Sequence, residues 1–272
     1  MKVWLDGRVV DEAEATVSVR DHGFTVGDGV FETMRVYAGR PFTLDRHLER
    51  LAGSAAALGL VPPTAEVLAA AVAAVVSTNA LLEAVLRITV TGGPGPMGSG
   101  RGDAGPTVVV TAGAFTPWPA TAAVWVAPWP RNERSAVAGV KTTSYAENVV
   151  ALAWAQERGA GEALVANLAG HLCEGTGSNV FVARGGRLLT PRLSAGCLAG
   201  VTRALLLEAG LGDEADLTVA ELQSADEAFL TSSTREVQPI ATVDGRPLQA
   251  APGPLTAAAA ALYAGLIRRA GG

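Results

Sequence analysis

Residues 172–181 read LCEGTGSNVF. An acid, Glu174, stands directly before Gly175, Thr176, Gly177 and Ser178, and the chain then turns apolar into NVFVARGGRLLTP. That continuation is a hairpin turning at Gly185-Gly186, so the quoted stretch is a turn at the mouth of a β-strand. An acid before a turn is ordinarily a solvated surface group. It gains meaning only if other stretches need a carboxylate there.

Working outward, the flanking segments alternate between strand and helix patterns. Upstream lie a strand (VWVAPW), a loop with Lys141, a helix over about 146–158 and a strand (EALVAN). Downstream, a helix follows Gly200, and strands are expected at 216–219, 227–232 and 236–243. Asp244-Gly245 makes a tight turn, and an Ala-rich helix closes the chain.

The N-terminal part opens with KVWLDGRVV, a hairpin around Asp6-Gly7. VFETMRVY reads as a strand, and Thr43 or Asp45 can cap a helix through HLERLAGSAAALGL that ends near Gly59. A second helix spans 64–80, and AVLRITVTG and TVVVTAG read as strands. GGPGPMGSGRGDAGP between them is long for a plain turn, which marks a functional loop. The composition shifts at AFTPWPATA. The expected organisation is an N-terminal α/β domain at 1–114, a linker at 115–122 and a C-terminal α/β domain at 123–272 that carries Lys141. Strands and helices mix without strict alternation, so the fold class is α+β (mixed α/β) in two lobes.

Composition excludes several functions. The chain has 272 residues, 49% hydrophobic and 17% charged, with a net charge of −5. That balance fits a folded globule and leaves no electrostatic footprint for nucleic acid. Cys173 and Cys197 match no metal or disulfide spacing, and His22, His47 and His171 are too scattered for a zinc motif. The longest apolar run, VLAAAVAAVV at 67–76, is too short to span a bilayer. No signal peptide is evident in MKVWLDGRVVDE, and a reducing, cytoplasmic setting is expected.

Chemistry concentrates in a few stretches. In GVKTTSYAENVV, Lys141 sits just ahead of a helix start. A lysine there is commonly a surface charge, but one entering a pocket becomes a nucleophile toward an aldehyde. Tyr145 follows within reach of the same pocket. LAGVTRALLLEAG puts Gly200, Val201 and Thr202 at a helix start, where amides and the dipole favour an anion; an ordinary N-cap is the alternative. LTSSTREV adds the hydroxyls of Ser232, Ser233 and Thr234. Arg50 in HLERL offers a fork for phosphate oxygens, or else a solvent-facing helix charge. An amine for an aldehyde, a hydroxyl and amide nest for a phosphate, and a carboxylate match pyridoxal 5′-phosphate, with Glu174 facing the ring nitrogen.

In order along nearly the whole chain, HGFTVGDGVFETMRVY, HLERL, KTTSYAEN, EGTGSNVF, GVTR and TSSTREVQPI resemble the motifs of class IV (fold type IV) pyridoxal-phosphate-dependent aminotransferases. That group includes D-amino-acid transaminases, aminodeoxychorismate lyases and branched-chain aminotransferases. The resemblance implies a two-lobed enzyme with the cofactor between the lobes, and a homodimer. It implies that Lys141 holds the Schiff base and that Glu174 binds the pyridinium. Arg50, Thr202 with the Val201 amide, and Ser233 with the Thr234 amide would hold the phosphate, and Tyr145 would bond the ring oxygen. Glu32 matches an active-site position of D-amino-acid transaminases. No metal is implied.

The substrates would be an amino acid and a 2-oxo acid. The Arg-x-His pair that traps the carboxylate in familiar D-amino-acid transaminases is replaced by Met97-Gly98-Ser99. Another cation must then hold the carboxylate, and Arg87, Arg35 and Arg101 are the candidates. Arg87 and Arg35 could equally form ion pairs across the sheet. The leading expectation is a transaminase acting on D-amino acids. The alternatives are an aminodeoxychorismate lyase giving 4-aminobenzoate and pyruvate, an L-branched-chain aminotransferase and a non-catalytic cofactor-binding protein. A dinucleotide-binding dehydrogenase is disfavoured, because no helix or acid follows GGPGPMG at the required distance.

Overall fold

A computed structural model describes residues 1–271. The chain divides into two units: Met1–Thr116 groups with Val140–Tyr145, and Pro117–Gly139 groups with Ala146–Arg269.

In the first unit, β1 (Lys2–Leu5) and β2 (Arg8–Asp11) form the expected hairpin. Asp6 and Gly7, at φ 44° and 95°, supply the left-handed pair that a two-residue turn requires. A short helix α1 (His22–Thr25) precedes β3 (Gly29–Tyr37), which is followed by β4 (Arg40–Pro41). Two helices, α2 (Leu44–Ala57) and α3 (Ala65–Thr78), lead to β5 (Ala84–Thr91) and β6 (Val108–Gly113). The sheet has the order β2-β1-β6-β5-β3-β4 and is antiparallel throughout. Leu48, Leu51 and Ala55 of α2 and Leu68, Val72 and Val75 of α3 recur at helical spacing and close over Val30, Met34, Leu86 and Ile88. Thr43 occupies the N-cap position of α2 but does not cap it by its side chain, which donates to its neighbour Phe42 O at 2.8 Å.

In the second unit, β7 (Ala122–Val126), α4 (Ala146–Gln156) and β8 (Glu162–Ala166) form a crossover between parallel strands. β9 (Leu172–Gly175), β10 (Asn179–Arg184) and β11 (Arg187–Pro191) follow, then α5 (Val201–Glu208) and β12 (Asp213–Ala215). The chain continues through α6 (Val219–Gln223), β13 (Glu227–Ser232), β14 (Glu236–Val243), β15 (Arg246–Pro247) and α7 (Pro254–Gly271). The nine-stranded sheet runs β12-β11-β10-β13-β14-β7-β8-β9, with β15 on β14. One core packs Val180, Val182, Leu222 and Leu230, and a second packs Ala155, Ala163 and both cysteines.

Two expectations need correction. The strand expected at 216–219 ends earlier, at Ala215, and residues 219–223 are helical. Thr218 and Glu221 form a reciprocal capping box that starts α6. Lys141 was expected in the C-terminal domain, yet its segment groups with the first unit. The reason is backbone pairing to β3: the Phe31 amide donates to Lys141 O at 3.0 Å, and the Thr143 amide donates to Gly29 O at 2.8 Å. The Thr143 and Ser144 hydroxyls also donate to Gly27 O, both at 2.9 Å.

Candidate active site

In the first unit, β3 sorts its side chains by strand alternation. Phe31 faces the sheet side where the lysine segment lies. Lys141 Nζ sits 4.4 Å from the centre of its ring, and Tyr145 meets it edge-on at 5.3 Å. Arg87, opposite Thr33 on β5, stacks its guanidinium on the same ring at 3.7 Å. Its Nε donates to the Thr89 hydroxyl at 3.1 Å. Burial pulls the Arg87 pKa below the usual arginine range, and no acid among the described residues forms an ion pair with it. The unit therefore gathers an amine, a phenol and an arginine around one aromatic ring.

Glu32 points to the α2 side of the same strand. It is fully buried: Oε1 accepts from Arg50 Nε at 2.8 Å, and Oε2 from Arg50 Nη2 and His47 Nδ1, both at 2.7 Å. Burial alone would raise its pKa, but these donors outweigh it and hold the carboxyl at about 2. Burial pushes His47 below its ordinary value despite the carboxylate, so it serves as a neutral N–H donor. Glu32, expected to meet substrate, is buried with both oxygens occupied, and it orients Arg50 and His47. Arg35 is engaged in a comparable way. Arg35 is 5% exposed, donates to Glu83 at 2.7 Å and stacks on Phe115 at 3.3 Å. Arg101 is also engaged. It grips Asp28 through two bonds of 2.6 Å and donates to Gly59 O at 3.1 Å.

In the second unit, Glu174 is half-buried on β9. Its Oε2 accepts from the Leu198 amide at 2.9 Å, and Oε1 lies 3.7 Å from Arg131 Nη2. Arg131 also donates to Asn148 at 3.0 Å, and Asn148 donates to Thr176 O at 2.6 Å. Asn179 donates to Leu198 O at 2.9 Å and presses on Gly200, where a Cβ would stand 1.9 Å from its Oδ1. Gly200 is the N-cap of α5 with no side-chain cap, so the amides of Val201 and Thr202 precede the first intrahelical bond. Thr202 Oγ1 lies 3.3 Å from the Tyr263 hydroxyl. The Ser232–Thr234 loop follows β13, with the Ser232 and Thr234 hydroxyls 3.4 Å apart.

In the hydroxyl-rich turn, Thr176 and Ser178 both donate to Glu162, an acid the sequence did not single out. Arg131, Asn179, His47 and Arg235 were missed in the same way. The usable signal was an acid opening the apolar strand EALVA, which has to be buried. Among the described residues no group of His, Cys, Asp and Glu could hold a metal ion, and no helix is long and apolar enough to cross a membrane.

Comparison with known proteins identifies the family. The amino-transferase class IV family matches residues 29–243. The D-alanine aminotransferase of Bacillus licheniformis is 36% identical over 278 residues, covering 94% of this chain and 93% of its own. The branched-chain aminotransferase of Thermoproteus uzoniensis, crystallised with norvaline, superposes with a TM-score of 0.89 at 35% identity, covering 97% of this chain and 93% of that one. The branched-chain amino acid aminotransferase of Escherichia coli gives 0.91 at 27% identity, with 97% and 94% covered. Another branched-chain amino acid aminotransferase, solved with pyridoxamine 5′-phosphate, gives 0.89 at 27% identity, with 97% and 92% covered. A chain with these motifs in order and this mixed α/β fold belongs to the amino-transferase class IV family and is a pyridoxal-5′-phosphate-dependent aminotransferase.

Proposed function

We propose that the protein moves an amino group between a D-amino acid and a 2-oxo acid, with Arg87 in place of the missing Arg-x-His pair. The carboxylate contact rests on the half-buried Arg87 guanidinium, stacked on Phe31 beside Lys141 without an acid partner, and the D preference rests on the likeness to the D-alanine aminotransferase of Bacillus licheniformis. A desolvated cation of this kind is complementary to a substrate carboxylate. Arg35 and Arg101 already hold acids of the chain.

The residues present fit the cofactor by the chemistry of their donors. Lys141 supplies the amine and Glu174 the carboxylate for the ring nitrogen. The uncapped head of α5, with the Val201 amide and Thr202, and the loop with Ser233 and the Thr234 amide supply donors for a phosphate; in the first unit Arg50 has the donor chemistry for the same group. Bound there, the cofactor supplies a cationic ring that accepts the electron pair left when a bond at the substrate α-carbon breaks. Lys141 Nζ moves the proton at that carbon. Arg87 holds the carboxylate, Tyr145 orients the ring oxygen, and Phe31 keeps water from the amine.

Half-reactions test the reading: the visible band of the cofactor-loaded protein is followed while D- or L-alanine and D- or L-glutamate are added. Conversion by D-amino acids is the expected result, and conversion by L-amino acids alone refutes it. The likeness to the Thermoproteus uzoniensis enzyme favours a second reading, an L-branched-chain aminotransferase. L-leucine and L-valine then become the productive donors.

A further inference from the structure

Beneath the turn that carries Glu174 lies a second carboxylate, Glu162 on β8, only 1% exposed. Five donors converge on it. Oε1 accepts from the Ala163 and Thr176 amides, each at 3.1 Å, and from the Thr176 hydroxyl. Oε2 accepts from the Ser178 hydroxyl at 3.0 Å and from Arg235 Nη2 at 3.3 Å. Gly175 is glycine because a Cβ there would stand 2.4 Å from Ser178 Oγ and 3.1 Å from the Glu162 carboxyl carbon.

Arg235 reaches the other way. It is buried against Trp118, 3.6 Å from the ring centre, and also donates to Gln238 and, at 3.1 Å, to Gly161 O. Its backbone amide donates to the Ser232 hydroxyl at 3.0 Å, which closes the Ser232–Arg235 loop. A buried ion pair is by itself weak evidence for a functional role. This one is distinguished by what hangs from its two ends. The acid carries the turn after Glu174, and the arginine carries the hydroxyl loop.

We propose that Glu162 is a positioning residue for the cofactor. Through Thr176 and Ser178 it sets the turn that presents Glu174, and through Arg235 it sets the loop that presents Ser233 and Thr234. The cofactor carries both a ring nitrogen and a phosphate, the latter on a short methylene arm, so the groups that would receive them have to be set at a matching distance. One buried carboxylate thus fixes the spacing of the two protein groups that must match it. The inference rests on the assignment of Glu174 to the ring nitrogen and Ser233 to the phosphate.

The test perturbs one end and reads the other in the holoprotein. Glu162→Gln leaves Arg235 buried beside a neutral amide and threatens folding, so Ser178→Ala and Ser232→Ala are the working variants. Phosphorus NMR of the bound cofactor reads the loop, and loss of the visible band after dilution gives the release rate. The expected result is that Ser178→Ala moves the phosphorus resonance and speeds release about tenfold. The double variant should then release cofactor more slowly than the product of the two single effects. An unmoved resonance in Ser178→Ala, with single effects that simply multiply, overturns the proposal. Ser233→Ala is the control for the assignment. If it too leaves the resonance unmoved, the phosphate reading fails and the proposal goes with it. If only Ser233→Ala moves it, the reading stands and the frame does not.

Discussion

At the scale of single residues, Arg87 and Glu32 make opposite uses of burial. Replacing Arg87 by Met should lower kcat/KM for amino acids by about a hundredfold, because a desolvated charge-assisted contact is lost. A primary amine without a carboxylate should be affected far less, and equal losses for both substrates would refute the assignment. Glu32, held at about 2, has a folded pKa below its unfolded value. Its contribution, roughly 3 kcal/mol, is complete above about pH 4.5 and fades as pH falls toward 2. Urea unfolding of the wild type and Glu32→Gln across that window should show a shallower acid loss in the variant. Parallel curves would contradict the pairing. Lys141 and Glu174 were singled out by their sequence neighbours, and the structure sets Lys141 beside Phe31 and Glu174 against the Leu198 amide. Glu162, Arg235 and Arg131 were not singled out, because a buried charge and a solvated one look alike until the fold names their partners. The partners of Arg35 and Glu32 were hidden for the same reason, since strand alternation gives a face but not what covers it.

Secondary-structure elements are placed by a few close approaches. The head of α5 is set by Asn179, whose amide ties to Leu198 O and leaves no room for a Cβ at Gly200. Gly200 has an ordinary φ of −65°, so alanine there costs overlap and not backbone strain. Gly200→Ala should destabilise the protein by about 1–3 kcal/mol and weaken cofactor binding. Adding Asn179→Ala should recover part of the loss. Thermal melts and cofactor titration check both, and additive penalties would show that the overlap is not the cause. Hairpins and helices were readable here wherever turn chemistry was local, as at Asp6-Gly7 and Gly185-Gly186. The start of α6 was missed although Thr218 and Glu221 spell a capping box, because the apolar residues around it were read with the period of a strand.

For the molecule as a whole, the two thiols report on integrity. Cys173 and Cys197 sit in one core, and burial pushes both pKa values up, that of Cys197 to about 12. Ellman's reagent at pH 8 should leave both untouched in the native protein and label them only as fast as the second unit opens. Labelling within seconds without denaturant would refute that closed core. The parallel seam in that unit has a consequence for biosynthesis. Ala122 pairs with Ile240, so β7 finds its β14 neighbour only after more than a hundred further residues have been made. On the ribosome, one flank of β7 therefore stays an open template for foreign strands until the nascent polypeptide has grown past Val243, which makes translation speed and chaperone cover part of what this fold requires.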